Sequence, residues 1–143
     1  MMTAEKWLQE AANSAKQALC HQAKCGCVIV KDDEVIGRGY NAPPLDSEAN
    51  RRCDLDSCCV HAEWRAIMDT LRHHPDMILG STLYFTRVDN TGTILKSGQP
   101  YCTVCSRLAL DVGIITFVLW HEAGITEYPT AEYNRLSYEN SQK

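Results

Sequence analysis

The feature that most constrains how this chain can fold is a pair of short motifs, each at the start of a predicted helix. One is His61-Ala62-Glu63 in "VHAEWRAI", and the other is Cys102 with Cys105 in "YCTVCSRL". A histidine nitrogen and two cysteine sulfurs are ligands that zinc prefers, and catalytic zinc sites keep the fourth position open for water. The two motifs together predict one zinc site, with His61, Cys102 and Cys105 as its protein ligands.

The spacing of Cys102 and Cys105, taken alone, has several interpretations. It fits half of a structural zinc site, a redox pair, or a chance pairing of two thiols. A redox pair calls for a preceding strand of the thioredoxin type, and the polar loop before Cys102 does not supply one. The presence of His61 upstream is what favours a zinc site.

Glu63 has a chemical role to fill beside such a site. Two thiolates cancel the charge of Zn²⁺, so the ion polarises a water molecule less than it would with three neutral histidines. A neighbouring carboxylate can then take the proton and hand it to a substrate. The alternative is that Glu63 only favours a helix N-terminus electrostatically, an effect below about 1 kcal/mol. We expect Glu63 to be the proton shuttle.

The order of apolar and turn residues predicts an α/β fold. Helices alternating with short β-branched runs favour a three-layer α-β-α sandwich with a mixed sheet. We place Trp7, Trp64 and Trp120 at packing positions. The predicted elements are a helix over 3–20, a hairpin of "CGCVIV" and "EVIGRGYN" around "KDD", a long loop over 42–58, a helix over about 60–73, a strand over 81–88, a long loop over 88–99 that could hold a small hairpin, a helix over 103–112 ended by Gly113, a strand over 114–120, and a last helix capped by Thr130.

Length and charge limit the class of protein. A chain of 143 residues is long enough for one domain with a real core and short for two, so we expect 1–143 to be a single domain. A net charge of −4 gives no general attraction to nucleic-acid phosphates, which favours a small-molecule substrate and makes nucleic acid an unfavoured partner. No run of about 18 apolar residues and no secretion signal is present, so we expect a soluble, cytoplasmic protein that does not bind membranes. We also expect a homo-oligomer.

Eight cysteines are many for a chain of this size. Without a signal peptide, the favoured interpretation is metal ligation plus buried thiols, in place of a disulfide framework. Cys25 and Cys27 flank a glycine at the start of an apolar run, where buried thiols are common.

The combined motif is similar to the signature of the zinc-dependent cytidine and deoxycytidylate deaminase superfamily. The resemblance covers most of the chain: "CGCVIVKDDEVIGRGYNAPP", "CVHAEWRAI", "STLYFT" and "CTVCSRLALDVGIITFVLW" look like its first hairpin, first metal helix, central strand, and second metal helix with the next strand. It implies a cytidine deaminase-like fold, with Glu63 as general acid and base beside the zinc. It further implies that the backbone of Ala62 binds the base and that Asn41 contacts the sugar.

The resemblance implies a zinc-dependent hydrolytic deaminase of a free cytosine nucleotide or nucleoside, giving the uracil product and ammonia. Arg51 and Arg52 lie in the loop where nucleotide-specific relatives bind phosphate, although an exposed arginine pair is an equal alternative. A deaminase of guanine, adenine, a pterin or a nucleic-acid base is the alternative among enzymes. A catalytically inactive zinc-binding regulatory module is another, and Glu63 argues against it.

Several positions depart from the family pattern. Tyr101 separates Pro100 from Cys102, where relatives place proline directly before the first cysteine, and we expect Tyr101 to line the pocket. Arg65 stands where deoxycytidylate deaminases commonly carry asparagine. The loop over 89–99 is long, and the sequence indicates no fifth strand after the last helix. As in some deoxycytidylate deaminases, a second, structural zinc site is an alternative use of the remaining cysteines: Cys53 with Cys58 or Cys59, and His73 or His74.

Overall fold

The computed structural model describes residues 3–20, 23–46, 59–96, 100 and 102–142. In these ranges the chain forms four helices and six strands, which confirms the predicted α/β sandwich with a mixed sheet. The elements are α1 (Ala4–Ala15), β1 (Lys24–Lys31), β2 (Glu34–Tyr40), α2 (Ala62–His73), β3 (Thr82–Val88), β4 (Ile94–Leu95), α3 (Thr103–Val112), β5 (Thr116–His121), β6 (Gly124–Pro129) and α4 (Thr130–Ser141).

The sheet has the strand order β2-β1-β3-β5-β6, and β4 pairs with the end of β3. Strands β3 and β5 are parallel, whereas the other pairs are antiparallel. Ligands of open α/β sheets bind outside the carboxyl ends of the parallel strands. This topology therefore predicts a ligand site at the end of the sheet where β3 finishes.

Helix α1 covers one face of the sheet. Trp7, Leu8 and Ala11 pack there against Val28, Tyr84 and Val118 in a buried apolar cluster. Gly26 lets the helix approach closely, because a Cβ at this position would collide with the backbone of α1. The helix is shorter than predicted and ends at Ala15, with Thr3 as its N-cap.

Helices α2, α3 and α4 cover the opposite face. The larger core cluster joins Ile29, Leu83 and Phe117 of the sheet to buried residues of these helices, among them Ile67. Gly39 of β2 lies under the first turn of α2, where a Cβ would collide with the backbone of residues 62–66. The start of α2 is thus held close to the end of β2.

Two predicted local features are confirmed in detail. Asp32 and Asp33 join β1 to β2 with φ angles of 51° and 61°, the left-handed pair typical of a two-residue hairpin turn. Gly113 ends α3 in a left-handed conformation, with φ of 97°.

The C-terminal part differs from the prediction. Strand β6 forms a hairpin with β5 that the sequence did not indicate, because β6 is an edge strand whose alternate residues face solvent and which ends in Pro129. Thr130 is the first residue of α4 and does not cap it, since its hydroxyl has no hydrogen-bond partner. The predicted loop over 88–99 contains β4, which forms a small hairpin with the end of β3 in place of one within the loop itself.

The cysteine interpretation also needs correction. Cys20 and Cys59 form a disulfide, although the sequence favoured thiols and metal ligands only. Cys27 is a buried thiol, as expected. The disulfide takes Cys59 out of the suggested second zinc site, and Cys53 and Cys58 lie outside the described residues. No helix in the described ranges has both the length and the apolar character needed to cross a membrane.

Candidate metal centre and substrate cavity

The three predicted metal ligands meet at the starts of two helices. His61 is the N-cap of α2 and Cys102 is the N-cap of α3, with Cys105 in its first turn. His61 Nδ1 lies 3.2 Å from Cys105 Sγ and 3.5 Å from Cys102 Sγ, and the two sulfurs are 2.7 Å apart. Among the described residues this is the one group of at least three possible ligands close enough to share an ion. Two sulfurs and one imidazole are a donor set that suits zinc.

The two thiols of this group differ in their pKa. The hydrogen bond with Cys105, helped by His61, lowers the pKa of Cys102 to about 5. The same hydrogen bond and burial raise the pKa of Cys105. One ligand is therefore a thiolate at neutral pH before any metal arrives, and metal ligation requires deprotonated cysteine.

Glu63 is buried beside this group, with 5% of its surface exposed. Burial, with the negative charge of Cys102 as the second cause, raises its pKa to about 7. A carboxyl group with this pKa exchanges protons readily near neutral pH, which suits general acid–base chemistry. A residue that only favoured the helix N-terminus would have no need to be buried against the metal ligands.

Trp64 packs on a metal ligand. Its ring stacks on the imidazole of His61, with centroids 4.6 Å apart and an angle of 18° between the planes. The sequence predicts packing for Trp64 but not this partner. The stacked ring fixes the plane of the imidazole and so directs Nδ1 toward the two sulfurs.

Helix α4 supports the second half of the metal centre. Asn140 Nδ2 donates a hydrogen bond to the carbonyl oxygen of Pro100. Ser106 Oγ donates to Asn134 Oδ1 over 2.8 Å. These two contacts connect α4 to the residues on either side of Cys102, and no sequence pattern indicated them.

A cavity of about 420 Å³ opens beside the metal centre. It is lined by residues that the sequence predicts for the site: Asn41, His61, Ala62, Glu63 and Cys102. It is also lined by residues that the sequence reasoning missed: Ala23, Cys25, Cys59, Phe85 and Arg87. Its volume lies within the range of small-molecule sites, about 300–1,000 Å³.

Asn41 follows β2 and holds the mouth of this cavity together. Its Oδ1 accepts a hydrogen bond from the backbone N–H of Cys25 over 2.8 Å, and its Nδ2 donates to the carbonyl of Ala23 over 2.7 Å. The side chain thus has a structural function in tying β1 to β2. Its predicted sugar contact stays a prediction.

Arg65 is directed to a neighbouring turn. Its guanidinium pairs with Asp46 over 2.9 Å and lies 4.6 Å above the ring of Tyr40. Tyr40 in turn donates its hydroxyl hydrogen to Asp46 over 2.7 Å. These contacts anchor the turn at Pro44–Asp46 to α2, which explains an arginine at this position. Arg51, Arg52 and Tyr101 lie outside the described residues, so their predicted roles stay predictions.

Comparison with known proteins identifies the family. The cytidine and deoxycytidylate deaminase zinc-binding region matches residues 1–121. The chain is 31% identical over 127 residues to deoxycytidylate deaminase of Mycobacterium phage D29, covering 77% of this chain and 88% of that protein. The chain therefore belongs to the zinc-binding cytidine and deoxycytidylate deaminase family. This confirms three predictions. The chain belongs to the family that it resembles, the members of this family are deaminases, and the metal of the family is zinc.

Two further comparisons define how far the likeness extends. The chain is 37% identical over 82 residues to tRNA-specific adenosine deaminase of Streptococcus pyogenes serotype M18, covering 56% of this chain and 46% of that protein. It therefore spans less than half the length of that relative. The crystal structure of apo dCMP deaminase from cyanophage S-TIM5 has a TM-score of 0.63 at 22% identity, covering 80% of this chain and 79% of that one. The cytidine deaminase-like fold is confirmed.

Proposed function

We propose that this chain is a hydrolytic deaminase of a free cytosine nucleotide or nucleoside, giving the uracil product and ammonia. The observation that carries the proposal is the position of Glu63, buried beside His61, Cys102 and Cys105 at the wall of a cavity of about 420 Å³. Membership of the deaminase family and the similarity to the phage D29 enzyme support it.

His61, Cys102 and Cys105 would hold the zinc, which supplies Lewis-acid activation of the attacking water when bound. Glu63 takes a proton from this water and delivers it to the ring nitrogen next to the amino-bearing carbon, while the water oxygen bonds to that carbon. It then moves the remaining proton of this oxygen to the amino group, the carbon–nitrogen bond breaks, and ammonia leaves a carbonyl behind. Burial raises the pKa of this carboxyl above its ordinary value, which favours the protonated form that it needs for donation.

The substrate contacts come from the cavity wall. Ala62 opens α2 beside Glu63 and lines the cavity, which supports the proposed contact between its backbone and the base. Asn41 lines the same cavity and offers its amide to a sugar. Arg51, Arg52 and Tyr101 complete the proposed substrate contacts from sequence.

A nucleic-acid base is the second candidate substrate. The similarity to a tRNA-specific adenosine deaminase favours it. The net charge of −4 counts against it, because nucleic-acid binding is dominated by contacts between cationic side chains and phosphates. The free nucleotide is therefore preferred.

The proposal includes a homo-oligomer in the cytoplasm, where free nucleotides are found. Exposed apolar side chains on α2 and α3, such as Met68, Leu71 and Val104, offer a surface for a second copy. Light scattering coupled to size exclusion measures the subunit number. Because the cytoplasm keeps thiols reduced, Cys20 and Cys59 would be largely thiols there.

The test is ammonia release across a panel of cytosine, adenine, guanine and pterin compounds, each as base, nucleoside and monophosphate where these exist. We expect turnover of a cytosine nucleoside or nucleotide. Glu63→Gln should retain zinc and fold but lose turnover by about 10²–10⁴-fold. Glu122→Gln, an exposed glutamate at the β5–β6 turn, is the matched control. Full turnover in Glu63→Gln, or ammonia from an adenine compound only, would contradict the proposal.

A further inference from the structure

A single arginine lies on the wall of the substrate cavity at the carboxyl end of β3. We propose that Arg87 binds the phosphate group of the substrate and so selects nucleotides over nucleosides. This inference rests on the proposed function and deepens it, because it names the substrate as a phosphorylated one. The residues predicted for that group, Arg51 and Arg52, are independent of it.

The alternation of β3 turns Arg87 toward the cavity. Tyr84 and Val88 pack in the apolar clusters of the face covered by α1, and Thr86 donates its hydroxyl hydrogen to Leu8 of α1 over 2.7 Å. Leu83 and Phe85 belong to the cluster of the opposite face, under α2 and α3. Since side chains alternate along a strand, Arg87 shares the face of the metal centre.

Arg87 stands between two cavities. In the register of the sheet it lies opposite Cys25 of β1 on one side and opposite Leu95 of β4 on the other. Its side chain lines both the cavity of about 420 Å³ and an adjoining one of about 190 Å³. Lys24 and Asp89 also line the smaller cavity, so a second cation and one carboxylate stand there.

The described residues provide no partner for this guanidinium. Its Nε is buried without a hydrogen-bond acceptor, and Arg87 makes no ion pair within the described ranges. The carboxylate of Asp89, two residues along, accepts hydrogen bonds from the backbone and hydroxyl of Thr91 and from the backbone of Thr93. A buried arginine nitrogen normally has an acceptor, so a ligand anion would complete this site.

Charge decides which end of the substrate lies here. Deamination requires the base at the metal ligands, so the rest of the substrate lies away from them, and Arg87 is the one cationic side chain that lines the cavity among the described residues. A phosphate is attracted to it. Arginine remains charged at all physiological pH values and presents a planar fork that matches phosphate oxygens. The base then lies toward Glu63 and the phosphate toward Arg87.

The test measures binding without turnover, so its result is separate from that of the ammonia assay. Calorimetry compares deoxyuridine 5′-monophosphate with deoxyuridine in wild type, Arg87→Gln and Arg87→Lys, with the exposed Arg135→Gln as control. We expect Arg87→Gln to weaken nucleotide binding about 10- to 100-fold and to leave nucleoside binding unchanged. Arg87→Lys should be intermediate, because it keeps the charge without the fork.

Equal weakening of both ligands, or no change in either, would overturn the proposal and make Arg87 structural. If Arg87→Gln does not fold, inorganic phosphate is titrated against wild type: it should compete with the nucleotide and leave the nucleoside unaffected, and the absence of competition would overturn the proposal. A single-stranded oligonucleotide distinguishes the source of the phosphate. A loss confined to the oligonucleotide would overturn the free-nucleotide assignment. Selective nucleotide binding without deamination would refute the proposed function alone.

Discussion

Asn140, near the end of the last helix, donates its side-chain amide hydrogen to the carbonyl oxygen of Pro100, which stands two residues before Cys102. The far end of the chain thereby fixes the backbone that leads into the metal centre. A partner that orients a metal ligand affects metal affinity even though it does not touch the ion.

Replacing this side chain should weaken the metal centre. Asn140→Ala leaves the half-buried contact to Pro100 unmade, at a cost of about 1 kcal/mol, so we expect zinc binding to weaken about fivefold. Chelator competition measures the affinity. Gln142→Ala, an exposed change at the end of the same helix, should have no effect. Unchanged affinity in Asn140→Ala would mean that Cys102 keeps its position without this hydrogen bond.

The ligand set predicts the metal content. We expect one zinc per chain in the wild type, and near zero after Cys102→Ser or Cys105→Ser, because each removes one of three protein ligands. Cys27→Ala removes a buried thiol outside the site and should keep the metal. Elemental analysis of the purified proteins measures the number of zinc ions per chain. Zinc retained in both ligand variants would place the ion elsewhere.

Removal of the metal should also lower stability. The N-termini of α2 and α3 meet through the three ligands, so chelation releases contacts between two core helices. We expect a lower Tm by calorimetry after chelation, restored by added zinc. If 1–143 is a single domain, holoprotein unfolding shows one transition. Two separate transitions would contradict the single-domain expectation.

Trp64 should control the orientation of His61. Trp64→Leu removes the stacked ring, and we expect weaker zinc binding and lower kcat, because the imidazole gains rotational freedom. Trp64→Phe keeps an aromatic face and should recover most of both. A change in Tm with zinc affinity unaltered in Trp64→Leu would show that the ring serves only the core.

Gly39 should be intolerant of any side chain. Gly39→Ala places a methyl group against the backbone of the first turn of α2, and we expect a loss of at least about 1–3 kcal/mol of unfolding free energy. Zinc affinity should fall with it, because His61 caps the same helix. Arg38→Ala, at the neighbouring exposed position, is the control for urea unfolding.

Local patterns account for the parts of this structure that the sequence predicted. The metal ligands and Glu63 lie within motifs of a few residues, and the family resemblance connects them. The hairpin and the end of α3 follow from turn residues with left-handed backbone, at Asp32, Asp33 and Gly113. These features need no knowledge of distant contacts.

The missed features depend on contacts between distant residues. The disulfide partners Cys20 and Cys59 are 39 residues apart, and nothing near either one indicates the other. Strand β6 buries little apolar surface, so its pattern is weak. Arg87 was within reach of sequence reasoning, because alternation along "STLYFTRV" puts it on the same face as Leu83 and Phe85.

When the Cys20–Cys59 disulfide is formed, as in this structure, it and the metal centre together give the chain the topology of a figure of eight. The disulfide closes one ring over a sequence separation of 39, and zinc between His61 and Cys102 would close a second over a separation of 41, so the two rings meet at 59–61. In the chain-entropy treatment, closing a ring of this size stabilises a fold by about 4 kcal/mol at 25 °C. The first ring contains the β1–β2 hairpin, and the second contains α2 and β3. Because β1 and β3 are neighbouring strands, the two rings are joined by the hydrogen bonds of the sheet.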